Sequence, residues 1–273
     1  MMDENRRVVL ITGASAGIGY ACATHLHQQG FRVYGTSRLG QSSISSDEFE
    51  MLQIDVDDDQ SVAAGIESLL NKESRLDVVV NNAGYSLAGA LEDTSIAEAK
   101  TQFETNFFGV IRVCRATLPI MRRQGAGHIV NISSLGGLFG IPFQSMYSAT
   151  KFAVEGATEA LRLEVKPFGV QVVLIEPGNF KTELTARRRK AAAAGNSVYA
   201  EPFSAALGVM EADEINGPSP DQIAQLLEKI INTPAPRLRY RAGAASEKLL
   251  IPAKKFLPAR FFEWAILKYF KLI

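Results

Sequence analysis

Cysteine is scarce: Cys22 and Cys114 are the only two among 273 residues. They stand in no spaced cluster. That excludes a disulfide framework and a zinc-ligand pattern, and predicts two reduced core thiols in an intracellular protein. The three histidines, His25, His27 and His128, sit at no ligand spacing and read as structural, so no metal is expected. Charge of one sign is lacking too. The 29 Lys and Arg balance 29 Asp and Glu, so no whole-chain field draws nucleic acid or an acidic partner. The first two-thirds hold no basic stripe interleaved with aromatics, the mark of a nucleic-acid surface. No apolar run reaches the roughly 18 residues of a membrane span. The polar residues 1–7 lead straight into a strand, with no secretory pattern. A cytoplasmic protein is expected, with the C-terminal tail as the one stretch suited to a membrane surface.

What the chain does have is apolar content, 47%, and a regular beat of strands and helices. Strand-like runs occur at 7–12, 31–36, 51–54, 76–80, 128–132, 170–175 and 237–241. Between them lie helical periodicities up to residue 30, and at 61–70, 96–123, 147–168 and 219–232. The run at 76–80 is nearly continuous, as expected of a parallel strand covered on both faces. The alternation predicts α/β architecture: a single doubly wound, seven-stranded parallel sheet with helices on both faces. A Ser-rich polar loop occupies 41–46.

Several strand ends carry chemistry. Gly13-Ala14-Ser15-Ala16-Gly17-Ile18-Gly19 follows the first strand and opens a helix. Glycines let the backbone approach a pyrophosphate, and free N–H groups with the helix dipole favour its charge. The spacing is G-x-x-x-G-x-G rather than the common G-x-G-x-x-G. A tight turn that binds nothing is the rival, and three glycines in seven residues fit it less well. The second strand ends in Ser37-Arg38, where an adenosine ribose would lie. No carboxylate is present there to accept from a 2′-hydroxyl, whereas a guanidinium pairs well with a 2′-phosphate. The pattern favours NADP(H) over NAD(H), against the plainer alternative of a solvated loop arginine. Asp55-Val56 can meet an adenine edge. Asn81-Asn82-Ala83-Gly84 puts small polar residues at a strand's C-terminal edge, where open α/β sheets bind ligands.

Tyr147 and Lys151 lie four apart, so their side chains stack on one helix face. An ammonium beside a phenol favours the phenolate and lowers a pKa of about 10, bringing proton transfer nearer neutral pH. A lone Tyr-x-x-x-Lys recurs by chance, so its weight comes from its company. Asn106, a poor helix former, sits inside the helix at 96–123 and is either exposed or has a buried amide task.

Taken together, Thr12-Gly13-x-x-x-Gly17-Ile18-Gly19, Asn81-Asn82-Ala83-Gly84, Asn106, Ser134, Tyr147-x-x-x-Lys151 and Pro177-Gly178-x-x-x-Thr182 resemble the short-chain dehydrogenase/reductase family. The resemblance covers residues 6 to 182 and implies a Rossmann-type fold with NADP(H)-dependent hydride transfer. The substrate pair would be a ketone and secondary alcohol, or an aldehyde and primary alcohol. It makes Tyr147 the acid or base, Ser134 the partner of the substrate oxygen, and Asn106 the holder of a water that passes protons to Lys151. Lys151 would hold the nicotinamide ribose and depress the Tyr147 pKa. Gly13, Ser15, Ala16, Gly17, Ile18 and Gly19 would cradle the pyrophosphate. Ser37 and Arg38 would meet the adenosine phosphate, and Asp55 and Val56 the adenine. Asn82, Ala83 and Gly84 would support the cofactor side of the cleft, with Pro177, Gly178 and Thr182 bordering the nicotinamide. Ala16 departs from some NADP-dependent members, which place a second basic residue there. A homodimer or homotetramer, joined through the helices carrying Asn106 and Tyr147, is implied as well. The rival from another class is a non-catalytic NADP(H)-binding or redox-sensing protein. Degenerate members lose the tyrosine or the lysine, and this chain keeps both.

Residues 1–253 are expected to form the Rossmann-type domain, with 183–217 as a substrate lid and 254–273 as an amphipathic tail. Leu87, Leu138, Phe143, Phe180 and Leu184 are the expected walls for an apolar carbonyl or alcohol substrate, with Phe139, Ile141 and Met210 as further apolar neighbours. Arg187-Arg188-Arg189-Lys190 reads as a solvated run, the sharper alternative being that it greets an anionic substrate tail. The strand at 237–241 is expected to turn its alternating charges to solvent. The tail holds Phe256, Phe261, Phe262, Trp264, Tyr269 and Phe270, with five Lys or Arg against Glu263. It suits a membrane surface, the mouth of the pocket or a sister subunit. The last third is loosely similar to hydroxysteroid and retinol dehydrogenases.

Overall fold

The computed structural model describes residues 6–40, 49–183 and 188–273; the Ser-rich segment 41–46, Leu184 and Arg187 lie outside the described residues. Nine strands are present among them: β1 (Val8–Ile11), β2 (Arg32–Ser37), β3 (Glu50–Gln53), β4 (Val78–Asn81), β5 (Leu87–Ala88), β6 (Gly127–Ile132), β7 (Val170–Pro177), β8 (Arg189–Lys190) and β9 (Arg239–Ala242). Seven of them pair in parallel in the order β3-β2-β1-β4-β6-β7-β9, while β5 and β8 form a separate short ladder. The order reverses between β1 and β4, and the crevice at that switch point is where such sheets bind ligands.

Strand periodicity builds two cores. In β1, Val8 and Leu10 pack on one side with α2 (Asp59–Lys72), α4 (Gly109–Gln124) and α5 (Ser145–Val165). Val9 and Ile11 pack on the other, with α1 (Gly17–Gln28) and α7 (Asp221–Ile231). Successive side chains alternate faces, so a strand covered on both sides must be apolar at every position. VVLI of β1 and Val78, Val79 and Val80 of β4, all buried, meet that demand, while the buried Asn81 that ends β4 donates its Nδ2 to Asn131 Oδ1 at 2.8 Å. Each such side chain contributes roughly 1.5–3 kcal/mol by leaving water.

The single helix expected at 96–123 is in fact two. α3 (Ile96–Phe103) starts on a Ser95–Glu98 capping box, and a π turn over Glu104–Phe108 separates it from α4. The turn's extra residue carries Asn106 inward. Around β9 the expected exposure of charge holds for Arg237 and Arg241 but not for Arg239. Arg239 bridges Glu155, Glu159 and Glu176, and Arg241 reaches Glu176 as well. Glu155 and Glu176 are buried, and a buried carboxylate needs a cation. The boundary expected at residue 254 falls inside a helix: α8 (Ala245–Phe256) and α9 (Ala259–Tyr269) close the chain behind α6 (Ala200–Ile215).

Candidate active site

The glycine loop follows β1. Gly13 and Gly17 hold φ of +66° and +57°, which side chains rarely adopt. A Cβ on Gly19 would stand 2.5 Å from both the Gly13 carbonyl and the Asn82 Nδ2. Asn82 props this loop, its Nδ2 donating to the Thr12 carbonyl at 3.0 Å and the Gly13 carbonyl at 3.2 Å. α1 begins at Gly17 with no side-chain cap, so its first-turn N–H groups remain to meet an anion. Thr182 lies over Gly17, 3.6 Å from where a Cβ there would be. Arg38 stands exposed just beyond β2. Val56 turns into the core against Gly109, and the Asp55 N–H donates to Ser61 Oγ at 2.9 Å. These residues fit a dinucleotide: an open helix start, a backbone pressed too close for side chains, and an exposed cation at the far strand end.

Tyr147, Lys151 and Ser134 converge beyond β6. A Cβ on Gly136 would lie 3.4 Å from both the Ser134 Oγ and the Tyr147 ring, so both groups flank one spot. The Lys151 Nζ donates to the Ile132 carbonyl at 2.9 Å and stands 5.8 Å from the Tyr147 ring centre. Asn106 uses its whole amide. Oδ1 accepts from the Tyr85 N–H at 3.0 Å, and Nδ2 donates to the Tyr85 carbonyl at 2.9 Å and to Thr150 Oγ1 at 3.3 Å. Thr150 in turn donates to the Tyr147 carbonyl at 2.7 Å, tying the π turn to the turn of α5 that carries the phenol.

Electrostatics here run against the expected depression of the tyrosine. Burial pushes the Tyr147 pKa up, and only the neighbouring Ser134 hydroxyl and Arg188 pull it back. Lys151 is not among the groups that lower it; its amine is engaged by the Ile132 carbonyl, and burial drives its own pKa down to about 8. At neutral pH Tyr147 is therefore a protonated phenol. Of the histidines, His128 is half-buried with its pKa lowered to about 4, chiefly by desolvation, and His25 faces Glu228, so neither takes part in this group.

Ser134 and Tyr147 open into a cavity of about 280 Å³. Phe139, Ile141 and Met210 line it as expected, and α9 adds Ile266, Tyr269 and Phe270. Among the described residues, the expected walls Leu87, Leu138, Phe143 and Phe180 lie elsewhere. Leu87 is spent in the β5–β8 ladder, and Phe180 is buried in the core beside α7. Leu138 is not on the wall; its carbonyl accepts from the Lys254 Nζ at 2.5 Å. Phe143, at φ +58°, meets Phe203 edge-on and lines a separate open depression with Leu91 and Tyr199. The sequence reading missed the floor. Glu247 of α8 accepts from the Asn179 N–H at 2.9 Å and from its Nδ2 at 2.8 Å, pinning the tail helices to the end of β7. Gly178 was the available signal, since a Cβ there would strike the Glu247 carboxylate. Among the described residues no cluster is suited to a metal and no helix is long and apolar enough to cross a membrane.

A parallel doubly wound sheet with an uncapped glycine loop at its switch point defines a nucleotide-binding protein of Rossmann type. Comparison gives the family: the short chain dehydrogenase model matches residues 7–193, and the chain belongs to the short-chain dehydrogenase/reductase family. It is 42% identical over 261 residues to a 3-ketodihydrosphingosine reductase of Bacteroides thetaiotaomicron, covering 95% of this chain and 96% of that one. It is 35% identical to retinol dehydrogenase 8 of Bos taurus, covering 91% and 85%. Among solved structures, a short-chain dehydrogenase of Streptomyces avermitilis superposes with a TM-score of 0.81 at 34% identity, over 97% of each chain. A Burkholderia phymatum member in complex with NAD gives 0.74 at 25% identity, over 88% of this chain and 90% of that one.

Proposed function

We propose that the protein reduces a ketone carried on a long apolar chain, using NADPH, and runs the reverse oxidation of the alcohol. One observation supports this above the others: a neutral, half-buried phenol and a serine hydroxyl flank one spot at the head of a largely apolar cavity. The dinucleotide, when bound, supplies the hydride. The glycine loop with the start of α1 binds its phosphates, and Arg38 selects the 2′-phosphate, with no carboxylate in Ser37-Arg38 to oppose it. Ser134 orients the carbonyl oxygen, and the Tyr147 hydroxyl gives it a proton. Lys151, held by the Ile132 carbonyl, and Asn106, fixed through Tyr85 and Thr150, keep the phenol's helix turn in place and supply the path for the proton's replacement. α9 and α6 exclude water over the cavity.

The relative that acts on 3-ketodihydrosphingosine, a long-chain ketone with a polar head, makes that compound the first probe. NADPH oxidation is expected with it and not with a short unbranched ketone. Tyr147→Phe is expected to lower turnover by roughly 10²- to 10⁴-fold, the range of a lost general acid. A variant as fast as its parent would remove Tyr147 from the chemistry.

A further inference from the structure

Within the basic run of the expected lid, Arg189 and Lys190 meet the expectation of a solvated stretch, exposed on β8. Arg188 does not. Its side chain is 2% exposed and forms a salt bridge through Nη2 with Glu214 of α6, itself 6% exposed. Among the described residues, its Nε and Nη1 have no acceptor. Both charged residues lie on the wall of the same cavity as Ser134 and Tyr147, amid Phe139, Ile141 and Ile266. Their charges reach the phenol, Glu214 raising its pKa and Arg188 lowering it.

A guanidinium kept dry with two nitrogens unpaired is a standing penalty, because each N–H lost its water and gained nothing. The single carboxylate beside it satisfies one nitrogen and balances the charge. An all-apolar ketone in this cavity would leave the other two donors bare. A ligand with an oxygen near the reacting carbonyl would satisfy them.

We propose that Arg188 is a substrate-binding, specificity-determining residue whose free Nε and Nη1 donate to a hydroxyl or other oxygen acceptor close to the carbonyl that is reduced. Glu214 positions the guanidinium, so that the enzyme distinguishes the head of the substrate as well as its chain. The inference rests on the proposed reaction only for where that carbonyl lies.

The test is a binding measurement, separate from turnover. Calorimetry compares a long-chain 1,3-diol with the matching 3-alcohol, each added to the full protein saturated with NADPH, with which neither alcohol can exchange a hydride. Wild type is expected to prefer the diol by roughly 10- to 100-fold, the worth of a hydrogen bond to a charged donor. R188M should bind the two within about twofold. Because R188M strands a buried carboxylate, R188M/E214Q, which removes both charges at similar volume, is measured beside it. No preference in wild type, no binding of the diol, or a preference retained in the folded double variant overturns the proposal. A diol preference without turnover of any ketone would overturn the reaction proposed above and leave the arginine's role standing.

Discussion

Lys151 shows how a residue's surroundings outrank its spacing. Its amine is buried, donates to the Ile132 carbonyl, and titrates near 8 because burial disfavours the charge while Glu155 only partly restores it. The sign follows. Between about 8 and the ordinary 10.5, the unfolded lysine holds a proton that the folded one has lost, so folding stability rises with pH across that window. Below about 8 the full cost of burying the ammonium is in force. Urea midpoints of the cofactor-free protein at pH 7.5 and 9.5 should therefore differ by a Lys151 contribution of about 2 kcal/mol, present in wild type and missing from Lys151→Met. Identical pH responses in the two proteins would show that burial does not hold the amine's pKa down. For Tyr147, burial outweighs the pull of Ser134 and Arg188, so the phenol enters reduction as the acid.

At the scale of the element, the C-terminal pair α8 and α9 is two-faced. Inward, Phe270 packs on Ala206 and Met210, Phe262 meets Phe139 edge-on with centroids 5.9 Å apart, and the Tyr269 hydroxyl donates to Asp213 at 2.7 Å. Outward, Phe256, Phe261 and Trp264 are exposed beside Lys255 and Lys268. The inner face closes the cavity; the outer face has the aromatic and basic character of a helix lying in an anionic headgroup layer. Deleting residues from Leu257 onward is expected to abolish flotation with phosphatidylserine vesicles and to lower kcat/KM for the long ketone at least tenfold, with NADPH affinity unchanged. Flotation undiminished by the deletion would assign the outer face to something other than a membrane.

For the whole molecule, cofactor and fold are linked by mass action. A dinucleotide at 100 times its Kd adds about 2.7 kcal/mol, or roughly 5–10 °C in Tm for a chain of this size. NADPH should raise Tm more than NADH at equal concentration, and Arg38→Ala should bring the two shifts together. Equal shifts in the unmutated protein would refute the choice of NADPH. Nothing in the sheet itself makes this choice, since β1, β2 and β4 present the same backbone to either dinucleotide.

The amino-acid order alone determined the parallel sheet, because strands covered on both faces must be apolar at every residue, as Val78, Val79 and Val80 are. It also determined the glycine loop and the Tyr147–Lys151 pair, whose meaning is carried by local backbone freedom and helical spacing. Only tertiary structure decided the rest. Arg188 is indistinguishable in sequence from exposed Arg189 and Lys190 until α6 brings Glu214, 26 residues later, against it. Arg239 looks solvated until Glu155 and Glu176 come from two other elements. The tail becomes a cavity wall only when Glu247 anchors α8 at Asn179. The reason is common to all three. Periodicity and spacing are properties of neighbours along the chain, whereas burial of a charge, and the pKa it sets, depend on which distant atoms displace the water.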